Sequence, residues 1–147
     1  MSEFQYYSKH RGHPVFVRQV GKAWEVAVDR TEGTIPPLFH PFTHSGQLNH
    51  AVQRAYRLID EAHAIDDVVS VIGDKRKTIP WGDGEITTGV TLSTICGSLM
   101  VHPPVIKDGI RRAKGDGLIV GTPEGGYVLT DAGEDRYRQV VREEAVA

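Results

Sequence analysis

The sequence predicts an α+β fold, with strands early in the chain and helices later. Two observations carry this. Residues 14–28 hold two β-rich runs, the second alternating with a period of two over residues 23–28, and over residues 46–64 apolar residues recur at spacings of three and four. A third observation orders the pieces: Gly- and Pro-marked stretches fall between the periodic runs. A chain of 147 residues is long enough for one domain or two small ones.

The first strands are Pro14–Val20 and Ala23–Val28, joined by Gly21-Lys22 as a two-residue hairpin turn. Trp24, Val26 and Val28 alternate with Ala23, Glu25 and Ala27, which fits a sheet with one buried face. Residues 30–45 are rich in Gly and Pro, and Pro37–Thr43 is expected to add a short edge strand. An amphipathic helix follows over Gly46–Ala64, with Ser45 as its N-cap and Leu48, Ala51, Val52, Ala55, Leu58, Ile59 and Ala62 on its apolar face. Residues 1–72 are therefore expected to form a small sheet-plus-helix unit for dimerisation or partner binding. Its N-terminal segment Phe4–His13 mixes aromatics and cations; its tyrosines are expected to pack on the sheet, an arm on nucleic acid being the other reading.

Residues 73–89 read as a linker or long loop, dense in charge, Gly and Pro, in which Trp81 is expected to pack on something. Residues 90–147 then read as strand, helix, helix, hairpin, helix. Val90–Leu92 is a short strand, and Ser93–Met100 a short helix capped by Thr91 or Ser93, with Ile95, Leu99 and Met100 apolar. Pro103 and Pro104 open the next helix, where a missing N–H costs nothing, and it ends at Gly115 or Gly117. Leu118–Val120 and Tyr127–Leu129 flank a turn at Thr122–Gly126. Thr130 or Asp131 caps a last helix running to about Glu144, with Ala132, Tyr137, Val140 and Val141 as its packing residues.

Two short helices, a tight turn and a β-hairpin are the layout of a winged helix-turn-helix. The stretch Leu99–Ile119, LMVHPPVIKDGIRRAKGDGLI, resembles the recognition-helix segment of bacterial winged-helix regulators of the GntR and MarR kinds. In those, a turn residue is followed by a helix start, an inward aliphatic, a basic pair and a Gly-Leu-Ile that leads into the wing. Tyr127–Gly133 is similar to the segment that closes the wing and opens the next helix in MarR-like proteins. The resemblance covers about residues 90–142 and implies sequence-specific binding of double-stranded DNA by a prokaryotic, phage or plasmid transcriptional regulator. It departs from the pattern at Gly109 and Gly115, each costing roughly 1 kcal/mol inside a helix. The first helix of such a domain is also missing just before the short strand, unless Ile65–Ile72 supplies it.

The residues support that reading independently. At about 100° per residue, Ile106, Ile110 and Ala113 share one face of the Pro103–Gly115 helix. Pro104, Asp108, Arg111 and Arg112 take the other, flanked by Lys107 and Lys114. Four cations against one anion make a local positive strip that can meet phosphates. Arg111 is the candidate for bidentate guanine readout. His102 and Lys107 lie where bases or phosphates are within reach, and Lys75, Arg76 and Lys77 are candidates for backbone contacts. The wing tip holds Glu124 and no cation. Because one short helix reads a single half-site, a homodimer is expected. The alternative is a winged-helix protein-interaction module, an adaptor or antitoxin-like protein, whose basic strip meets an acidic partner.

Other classes find little support. The net charge is −2, so nucleic-acid binding must rest on local charge. The single cysteine, Cys96, is expected in the core and excludes an internal disulfide. His10, His13, His40, His44 and His50 lack metal-ligand spacing, and neither a phosphate-cradling glycine loop nor a nucleophile elbow is present. No metal, cofactor or enzymatic activity is expected. With neither a signal-peptide pattern nor an apolar run of about 20 residues, a cytoplasmic protein is expected.

Overall fold

The computed structural model describes residues 3–28 and 41–146, and the fold is α+β. The chain divides into two compact units, Met1–Ala62 and His63–Ala147. The division falls inside a helix, not at residues 73–89.

The first unit is an antiparallel sheet covered by helix. Strands β1 (Gln5–His10), β2 (His13–Val20), β3 (Ala23–Val28) and β4 (Phe42–His44) lie in that order. Val20 pairs with Ala23 across Gly21-Lys22, with Gly21 at φ 61°, as a two-residue turn requires. Val15, Val17 and Val26 are buried with Ala51, Val52, Ala55 and Ile59 of the helix, and Trp24, Val28 and Phe42 pack against them. The expected edge strand is observed over its last residues, β4, next to β3; its beginning lies outside the described residues.

The N-terminal segment is neither an arm nor a packed aromatic cluster. It is strand β1, turned into β2 at Arg11-Gly12 with both residues at positive φ (53° and 81°). Its inward residues are Ser8 and His10, so the strand carries no apolar alternation for the sequence to betray. Tyr6 and Tyr7 are exposed, and Tyr6 meets Phe16 edge-on at 6.0 Å between ring centroids.

Helix α1 runs Leu48–Lys75, well beyond the expected end at Ala64. Its first hydrogen bonds go to the Gln47 carbonyl, so Ser45 is not the cap. It continues because Val68, Val69 and Ile72 keep the helical spacing and are buried in the second unit's core. Residues 65–72, open in the sequence as a separate helix, are part of α1, and β5 and β6 stand between it and the short strand β7. The remaining elements are β5 (Thr78–Trp81), β6 (Gly84–Thr87), β7 (Val90–Thr91), α2 (Leu92–Ser98), α3 (Pro103–Gly115), β8 (Ile119–Gly121), β9 (Gly126–Leu129) and α4 (Asp131–Val146).

Residues 73–89 are thus not a loop. They hold the end of α1 and an antiparallel β5–β6 hairpin, closed by Gly82-Asp83 with Gly82 at φ 62°. Its two strands are exposed throughout, and Trp81, expected to pack, is 71% exposed. A second sheet has the order β7-β9-β8, with Ile119 opposite Leu129 and Val120 opposite Val128. Val90, Ile95, Ile106, Ile110, Ala113 and Ile119 close the core with α1, and Cys96 packs partly buried against it. Thr130 caps α4, accepting from the Gly133 N–H at 3.1 Å. The packing face of α4 is Gly133, Tyr137 and Val140; Ala132 and Val141 point outward, one step around the helix from that face.

Candidate nucleic-acid interface

Helix α3 is positioned by its apolar face. Val105, Ile106, Gly109, Ile110 and Ala113 are buried. Gly109, which weakens the helix as a sequence, is where α3 meets α1: an added Cβ would lie 2.8 Å from Ala64 Cβ and 3.1 Å from its backbone. The helix opens on Pro103 and Pro104 after His102, whose carbonyl accepts from the Val105 and Ile106 N–H groups. The His102 side chain makes no capping bond and is exposed.

With that face buried, Pro104, Lys107, Arg111 and Lys114 form one exposed stripe. Lys107 and Lys114 are central to it rather than flanking. Arg112, expected on the same face, is half-buried and turned to Asp108, whose carboxylate lies 3.1 Å from its Nε. Asp108 also accepts from Arg111 at 2.5 Å. The hydrogen bond from Arg111 is the main reason that its carboxyl titrates below the usual value of 3.8. Arg111 remains 75% exposed, so this i,i+3 tether holds it loosely. The Lys114 ammonium lies 6.0 Å from the Tyr127 ring centroid, on the β9 side of the stripe.

The β8–β9 hairpin stands beside α3, turned through Thr122–Gly126 with the Thr122 N–H donating to the Gly126 carbonyl at 2.8 Å. Met100, expected on the apolar side of α2, is fully exposed between α2 and α3, because Ile95 and Leu99 already fill the inward positions.

The basic run at the end of α1 is split. Arg76 is paired with Glu134 and lies 5.4 Å from the Tyr137 ring centroid, so it ties α1 to α4. Lys75 and Lys77 line a separate cleft of about 370 Å³ with Thr88, Thr91 and Thr94. Thr91 caps α2 there, accepting from the Thr94 N–H at 3.2 Å. The Thr-Leu-Ser-Thr pattern signals that cap in the sequence, but the cleft depends on the β5–β6 hairpin, which the sequence does not reveal.

In the first unit, His10 stacks on Tyr56 with centroids 4.4 Å apart and bonds Asp60 at 2.9 Å, with Arg11 3.5 Å from the same carboxylate. Ser8 bonds the Tyr56 hydroxyl. These contacts fasten β1 to α1. Among the described residues no group of three or more His, Cys, Asp or Glu is placed to hold a metal, and His40 lies outside them. No described helix is long and apolar enough to cross a membrane. The chain matches no protein-family model, no curated protein and no solved structure.

Proposed function

We propose that residues 90–142 act as a winged helix-turn-helix that binds duplex DNA, with α3 as its reading helix, in a cytoplasmic transcriptional regulator working as a homodimer. The observation that carries this is the stripe of Lys107, Arg111 and Lys114, exposed on a helix whose opposite face is locked into the core. A helix held that way presents cations at fixed spacing to a phosphate backbone while its first turn enters the major groove. Arg111 reads a base once it leaves Asp108, and the exposed His102 sits at the entering end. The reading does not need Arg76, which is engaged with Glu134 and Tyr137. Two copies on half-sites about one turn apart supply a specific site.

Genomic fragments retained by the protein and then sequenced provide the test, with a single enriched motif as the expected result. Replacing Arg111 by Ala is expected to cost about 1–3 kcal/mol at one base position. Unchanged sequence preference would remove α3 as the reader. The cation-free wing tip and the Asp108 tether favour one other reading, an acidic protein partner on the same stripe. Excess nonspecific duplex DNA separates the two, since it displaces a nucleic-acid ligand from the stripe, whereas a stripe built for a protein does not take up the duplex and keeps its partner.

A further inference from the structure

The β5–β6 hairpin presents one apolar face to solvent. Directly paired residues share a face, so Ile79 lies beside Ile86, Trp81 beside Gly84 extends the same side, and Lys77 opposite Thr88 closes its foot. The reverse side carries Thr78, Pro80, Glu85 and Thr87. Ile79 is 45% exposed, Ile86 44% and Trp81 71%. A two-stranded ribbon is marginal in water unless its apolar face is covered. Edge pairing through β5 is hindered, because Pro80 has no N–H to offer a further strand. The open face holds the hairpin's exposed apolar side chains.

Charge along the hairpin indicates the occupant. Asp83 at the turn and Glu85 beside it make the tip acidic, while Lys75 and Lys77 make the foot basic. Among the described residues none of these four belongs to an ion pair. A ribbon acidic at one end and basic at the other complements an antiparallel copy of itself.

We propose that this face is a self-association surface, on which a second copy of the chain packs its own hairpin antiparallel about a two-fold axis. The axis passes between the two Ile79–Ile86 pairs. Trp81 of each copy lies over the foot of the other, where Lys77 meets the indole face. Asp83 at the tip of each copy reaches Lys75 and Lys77 of the other, Glu85 adds to the negative charge of the tip from the reverse side, and the symmetry makes every contact twice. Three apolar side chains per copy cover on the order of a few hundred Å², so the dimer is a weak one, of roughly micromolar affinity. The surface deepens the proposed function, on which it rests, by naming what joins two reading helices; its test contains no DNA, so failure of the surface and failure of DNA binding are read separately.

Sedimentation velocity of the full chain from about 1 to 300 μM, the range suited to an interface of this size, is expected to show a monomer–dimer equilibrium. Trp81→Glu, at an exposed position, is expected to stay monomeric with unchanged circular dichroism. The orientation is tested by charge. The K75E/K77E protein and the D83K/E85K protein should each associate roughly tenfold more weakly, and an equimolar mixture of the two should recover the wild-type constant, because only the mixed pair juxtaposes opposite charges. A wild-type chain monomeric at the highest concentration, a Trp81→Glu protein that still dimerises, or a mixture no tighter than its components would each overturn the proposal.

Discussion

The second unit contains two hairpins of similar size with opposite fates. In β8–β9, Ile119 is buried, Leu118, Tyr127 and Leu129 pack on the core, and β7 adds a third strand. The Thr130 N–H donates back to the Leu118 carbonyl at 3.0 Å, fixing the start of α4 to the start of the hairpin. In β5–β6 the two strands are exposed throughout, and the hairpin is tied at its foot by the Thr88 N–H to the Lys77 carbonyl at 2.7 Å. Both carry aliphatic and aromatic residues on one face. What separates them is what stands opposite: helices α3 and α4 flank the first, and solvent meets the second. A hairpin with an apolar face forms in either setting, and the tertiary structure decides whether the chain itself covers that face.

The sharpest way to break this comparison is to truncate one aliphatic residue in each hairpin. Ile119→Ala is expected to cost about 3 kcal/mol by lost burial and cavity formation. Ile79→Ala or Ile86→Ala, measured on dilute protein, is expected to change stability by under about 0.5 kcal/mol. Denaturant midpoints decide it, and equal losses would place the β5–β6 hairpin in the core of a single copy.

A smaller effect sharpens the account of why α3 sits where it does. Gly109→Ala gains helix propensity but drives a methyl group against Ala64 and its backbone, so a net loss of about 1–2 kcal/mol is expected. At Gly115 the added Cβ meets nothing within 4 Å, and alanine there is expected to stabilise by about 0.5 kcal/mol. Thermal unfolding of the two variants should therefore shift in opposite directions.

The smallest effects are in pH. The Tyr137 hydroxyl donates to Asp74 at 2.5 Å, and this bond is the main reason that its titration is raised above 10.0. The folded state then holds the proton more tightly than the unfolded chain. The contribution is complete below pH 10 and disappears as pH rises through the folded value. Tyr137→Phe should remove that alkaline decline. Asp108 has the opposite sign: with its carboxyl lowered below 3.8, its small contribution is present above that pH and fades as acid protonates it. Acid unfolding of Asp108→Asn checks this arm.

Much of the second unit was legible from the sequence. Pro103-Pro104 starts α3, Thr91 and Thr130 cap the helices they precede, and the two strands after Gly117 pair as their alternation and turn require. These features are local, because a cap or a tight turn is satisfied within a few residues of itself. The β2–β3 hairpin was legible for the same reason. Strand β1 was not: its inward residues are polar, and their partners Tyr56 and Asp60 lie about fifty positions away. The candidate interface was legible in composition, since Lys107, Arg111 and Lys114 were all singled out. Its geometry was not, because the inward turn of Arg112 depends on how the buried face rotates the helix.

The sequence by itself therefore determined the α+β class, the order of the elements after residue 90 and the residues of the basic stripe. Periodicity and capping are properties of short windows, and they survive whatever surrounds them. The tertiary structure alone decided that α1 runs unbroken to Lys75, with Gly73 near its end facing the Tyr137 ring. It also decided that Gly109 is a contact rather than a flaw, that Arg76 belongs to Glu134, and that Trp81 is left in solvent. Each of these depends on a group distant in sequence, and only the folded chain brings such groups within bonding or packing distance.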